Sequence, residues 1–115
     1  MAKKTLTKKE LDKIKKIVSG ILGLDAESHF IIKECLKNAV KFNSDYHRFN
    51  LRFLLGSVDS LATISNMEKH LSRDINEKWK QVDENDAYAS LGIMDKPTPK
   101  VLIMILLEKI KRKEL

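Results

Sequence analysis

Cysteine, glycine, proline and aromatic residues are all scarce in this 115-residue chain, and each scarcity removes a class of structure. The single cysteine, Cys35, excludes an intrachain disulfide and a cysteine-built zinc site, and its apolar helical setting marks a buried, inert thiol. Four glycines and two prolines are too few for the many tight turns of a β-rich domain. No apolar run approaches the ~20 residues of a membrane span. The opening MAKKTLTKKELDK lacks the apolar centre of a secretory signal, so a cytoplasmic, soluble protein is expected. Catalytic signatures are missing too. No serine sits in a Gly-x-Ser-x-Gly elbow, and no glycine-rich loop precedes a lysine to cradle a phosphate.

What remains is 43% apolar and 33% charged residues, enough to fill one core and keep the surface solvated. The length suits a single domain, residues 1–115, with a basic tail at 1–6 and a linker at 83–97. Helix formers dominate, so the expected class is all-α: a small bundle of four or five mostly antiparallel helices.

Thr7 and Glu10 have the spacing of a capping box. Leu11, Ile14, Val18 and Ile21 then recur at helical period, with Ile17 and Leu22 widening the stripe and Gly23 placed as a stop. Asp25 is the expected N-cap of a second helix reaching about Phe42. Its apolar band (Phe30, Ile31, Ile32, Cys35, Leu36, Ala39, Val40) is wide enough to need neighbours on two sides. From Tyr46 an apolar stripe continues almost to Val82, and Gly56–Ser57 is the expected kink or break in so long a helix. In the linker, Asp86 is placed to cap a short turn, and Tyr88, Leu91, Ile93 and Met94 are expected to pin the loop to the body. Thr98 and Pro99 open the last helix, whose run Val101–Leu107 is apolar all round and therefore expected against other helices or in a homo-oligomer interface.

Charge is concentrated at the ends. Residues 1–16 carry seven lysines against Glu10 and Asp12, and residues 96–115 carry six basic side chains against Glu108 and Glu114. Lys3, Lys4, Lys8, Lys9, Lys13, Lys15, Lys16, Lys109, Lys111, Arg112 and Lys113 are thus candidates for contact with nucleic acid or an acidic partner. Arginine is sparse and no aromatic platform accompanies the lysines, which weighs against base readout and single-strand stacking. In an up-down-up-down bundle the two basic ends would meet at one pole; a break at Gly56 would separate them. A second candidate surface is Tyr46, Arg48, Phe49, Arg52 and Phe53, where aromatics alternate with arginine as in interface hot spots.

Of the three histidines, His70 stands one helical turn before Asp74, a pair able to share a metal or a proton. Their nearest acidic supplements, Glu34 and Glu68, fit no metal motif. Asp83, Glu84 and Asp86 cluster without the ligand spacing of a calcium loop. The expectation is a non-catalytic helical adaptor or regulatory protein with neither metal nor cofactor. The alternative is a small basic nucleic-acid-binding protein or a helical subunit of a nucleoprotein complex.

Overall fold

The computed structural model describes residues 5–41, 61–80, 88–89 and 91–112. Within them every regular element is helical and no strand occurs.

The first helix, α1 (Lys8–Lys15), begins as its sequence requires. Thr7 Oγ1 accepts from the Glu10 amide at 3.1 Å, and the Glu10 carboxylate accepts from the Thr7 amide at 2.9 Å, so both halves of the capping box form. The continuation differs from expectation. Lys16–Ile21 is a π-helical segment, closed by a Leu22 amide that donates five residues back to the Ile17 carbonyl at 2.8 Å. The wider turn holds one residue more than an α-turn, and the apolar stripe shifts accordingly. Leu22 is buried at 1% exposure, whereas Ile21, central to an α-helical reading of the stripe, is 38% exposed. Gly23 then reverses the chain at φ +68°, and the Leu24 amide bonds to the Val18 carbonyl at 2.9 Å.

The second helix, α2 (Ala26–Lys41), is buried along Ile31, Ile32, Cys35, Leu36, Ala39 and Val40. That broad band is used on several sides at once, because α2 packs against α1, the π-helical segment, the third helix and the last. Phe30 falls outside the band; it is exposed, with the Lys33 ammonium 5.6 Å from its ring centre. Thr5, Leu6 and Leu11 share a cleft with Glu34, Lys37, Asn38 and Lys41, so α1 starts where α2 ends and the two run antiparallel. Burial pushes the Cys35 thiol up to about 12, with the charges of Glu34 and Glu68 adding to the shift.

The third helix, α3 (Leu61–Trp79), buries Ile64, Met67, Leu71 and Ile75 at the expected period. The expected bend at Gly56 lies outside the described residues, as do Tyr46, Arg48, Phe49, Arg52, Phe53 and Val82. Tyr88 is fully buried, its ring edge-on to Trp79 with centroids 5.2 Å apart, and Ile93 is buried beside it in the core. Met94 is not a pin: it is 77% exposed. Asp83, Glu84 and Asp86 lie outside the described residues.

The last helix, α4 (Pro99–Lys111), starts with Thr98 Oγ1 accepting from the Val101 amide at 3.3 Å and Pro99 in the first turn. Leu102, Ile103, Leu106, Leu107 and Ile110 are buried against α2 and α3, while Val101 remains 44% exposed. The run of apolar residues is therefore not enclosed all round.

Two glycine substitutions test the turn. Gly23→Ala forces a side chain into a left-handed backbone and is expected to cost about 1–2 kcal/mol in urea unfolding. Gly20→Ala meets only the Lys16 stem at 3.9 Å and is expected to be neutral or to stabilise by up to about 1 kcal/mol. Equal losses from the two would refute the backbone argument.

Candidate functional site

A helix must satisfy its first amides and place its capping charge. For α2, Asp25 Oδ1 accepts from the Ser28 amide at 2.8 Å, the geometry of an N-cap. Asp25 is then held from the other side. Its own amide donates to Asp74 Oδ2 at 2.8 Å, and the buried Ser28 hydroxyl donates to the same oxygen at 2.8 Å. Asp74, on α3, is itself buried, with 7% exposure. One turn earlier on α3, His70 reaches the same cap. Its Nε2 lies 2.8 and 3.0 Å from the two Asp25 carboxylate oxygens, and its Nδ1 lies 3.3 Å from Glu27 Oε2.

The electrostatics follow from this arrangement. Burial works to raise the Asp25 pKa, but the Ser28 amide and His70 outweigh it and hold the carboxyl below its ordinary range. His70 moves up: the hydrogen bond to Asp25 outweighs partial burial, and the charges of Asp25, Glu27 and Asp74 add to it. His29, half-buried on α2, moves the other way through burial and the nearby Lys33 and Lys15, and its Nε2 has no hydrogen-bond partner among the described residues.

Asp25 is thus the member of this cluster that sequence spacing missed. His70 and Asp74 are an obvious helical pair, but their third partner stands 45 residues from His70, and neither Glu34 nor Glu68 joins them. Asp25 was legible only as a helix cap, a role it also fills.

The second feature is a groove of about 610 Å³ along the outward face of α4, lined by Val101, Met104 and Ile105 with Lys100, Glu108, Lys109 and Arg112 at its sides. Glu108 lies 3.9 Å from Arg112, a long, exposed ion pair.

The basic clusters divide between helices. Lys8, Lys9, Lys15 and Lys16 are exposed along α1 and the π-helical segment, and Lys13 is half-buried. At the end of α4, Lys111 and Arg112 are exposed and Lys109 is half-buried. Lys3, Lys4 and Lys113 lie outside the described residues. Both α1 and α4 pack on α2. No helix among the described residues is long and apolar enough to cross a membrane.

Comparison with protein families, with characterised proteins and with solved structures gives no match, so the residues themselves carry the functional argument.

Two measurements probe this region. Asp74→Ala strips one shared acceptor from two donors and is expected to cost about 3 kcal/mol in urea unfolding, against about 1 kcal/mol for Ser28→Ala. His29 carries a folded pKa below its ordinary 6.5, so its neutral form belongs to the fold. Its contribution is present above that value and is lost as pH falls through the lowered one. Thermal unfolding of His29→Leu is accordingly expected to fall less steeply than wild type on acidification below pH 6.5.

Proposed function

We propose that this protein acts by binding another protein, without a catalytic step, as a helical adaptor or regulator. The groove along α4 supports the reading. The outer side of a helix ordinarily presents charged and polar side chains, yet here an exposed Val101 and the half-buried Met104 and Ile105, which also pack against the core, follow at helical spacing along the groove. The stripe covers about 6 Å of the helix axis, and with the charged residues out to Arg112 the groove runs about 17 Å, enough for the apolar face of one partner helix. Methionine at its centre adapts to varied side chains.

The charges choose the partner class. Lys100, Lys109 and Arg112 flank the stripe against the single acid Glu108. An amphipathic helix with acidic flanks would complement that rim, gaining orientation and encounter rate from the charges and affinity from the apolar contact. A second copy of this chain fits less well. In an antiparallel pair centred between Met104 and Ile105, Lys100 of one copy would face Lys109 of the other, placing like charges together.

A nucleic-acid reading is the alternative, and the exposed Lys8, Lys9, Lys15 and Lys16 favour it. It predicts a different response, because phosphate contact is steeply salt-dependent and indifferent to α4.

The discriminating experiment is fluorescence anisotropy with a labelled amphipathic helical peptide carrying leucines on one face and glutamates beside them. Saturable binding is expected, weakened at least ~10-fold by Val101→Asp, a change at an exposed first-turn position where an acid suits the helix dipole. No binding, or binding that Val101→Asp leaves unchanged, refutes the groove. Duplex binding that falls steeply with salt and is lost on reversing the α1 lysines would establish the alternative instead. A dimer in light scattering that Val101→Asp dissociates would assign the groove to a second copy.

A further inference from the structure

The cluster at the start of α2 contains more negative charge than a helix cap requires. Asp25, Glu27 and Asp74 surround one imidazole, and both nitrogens of that ring face carboxylates. A neutral imidazole carries one ring proton, so it can donate to only one side and must turn a lone pair toward the other. With Nδ1–H directed at Glu27, the Nε2 lone pair faces Asp25 at 2.8 Å, and either a second ring proton or a bound cation satisfies that pair. Hydrogen bonding of the outer imidazole nitrogen to a carboxylate is also the usual support of a metal-bound histidine.

The remaining donors converge on the same point. One ligand atom each from Asp25, His70 and Asp74 lies within 4.8 Å of the others. The half-exposed Asp25 carboxylate already stands 2.8 Å from His70 Nε2, and an ion between these donors would sit at ~2.0–2.2 Å from each. Both hydrogen bonds to Asp74 fall on Oδ2, which fixes the carboxylate and leaves Oδ1 as a donor atom. The Tyr88 hydroxyl is fully enclosed in the core and lacks a hydrogen-bond partner among the described residues.

We propose that Asp25, His70 and Asp74 bind one divalent transition-metal ion of the zinc type, with Glu27 orienting the His70 ring. One imidazole and two carboxylates suit Zn2+ or Co2+. The absence of a thiolate in the cluster disfavours Cu(I), and the imidazole disfavours Mg2+ and Ca2+. Three protein donors leave a coordination position for water, and the ion would tie the start of α2 to α3. The inference does not depend on the α4 groove.

The test uses the full chain stripped with chelator and titrated with Zn2+ by calorimetry and with Co2+ by visible absorption. One-to-one uptake, a rise in unfolding temperature with Zn2+ and cobalt d–d bands are expected. His70→Gln and Asp25→Asn should each weaken binding at least ~10-fold, and Glu27→Gln about 10-fold or more through the ring orientation. Asp25 and Glu27 are exposed enough for those variants to fold, which circular dichroism would check. Cys35→Ser and His29→Leu should bind as wild type. Absence of saturable uptake overturns the proposal. So does folded Asp25→Asn or His70→Gln protein that binds with unchanged affinity, or loss of binding in Cys35→Ser.

Discussion

The fold depends on one helix having to serve every other. α2 packs against α1, the π-helical segment, α3 and α4, and buries Ile31, Ile32, Cys35, Leu36 and Ala39 almost completely. At roughly 1.5–3 kcal/mol for each large aliphatic side chain removed from water, this band is the principal apolar contribution that the other helices share. The first turn of α2 is open to solvent at Ala26 and Glu27, but its Ser28 is buried and the Asp25 amide must find an acceptor. The buried Asp74 carboxylate resolves that difficulty by accepting from the Asp25 amide and the Ser28 hydroxyl together. Burying a charge costs free energy, and here two donors offset the cost while the carboxylate positions the helix that the core needs.

The π-helical segment answers the same demand from the amino-terminal side. The chain must bury Ile17, Val18, Leu22 and Leu24 and then reverse within a few residues to enter α2. A regular α-helix would direct Ile21 inward and leave Leu22 at the flank. Widening one turn exchanges them, and Gly23 completes the reversal with a conformation that other residues adopt at a cost.

Local chemistry was legible in the sequence wherever a few adjacent residues decided it. The capping box of Thr7 and Glu10, the Asp25 cap, the start of α4 at Thr98–Pro99 and the all-helical class follow from short-range spacing. The outward turn of Ile21 and Phe30 was not legible, because it depends on helix phase and on which neighbours arrive. The exposure of Met94 was hidden for the same reason: an apolar residue in a loop need not find a place in the core. The polar cluster was half legible. A helical pair such as His70 and Asp74 can be read from its interval of four, whereas the approach of Asp25 is a product of tertiary packing. The open side of α4 was visible only as excess hydrophobicity. Which residues of Val101–Leu107 face outward is decided by where α2 and α3 lie.

The lone cysteine has a practical consequence. Cys35 is fully buried on the central helix and its thiol is pushed up to about 12, so at neutral pH almost none of it is thiolate. Maleimides and disulfide-forming reagents attack the thiolate, and the native fold withholds it from them. A cysteine introduced on the surface would therefore be labelled selectively in an otherwise unaltered chain. Conversely, the rate at which Cys35 itself reacts reports how often the centre of the protein opens.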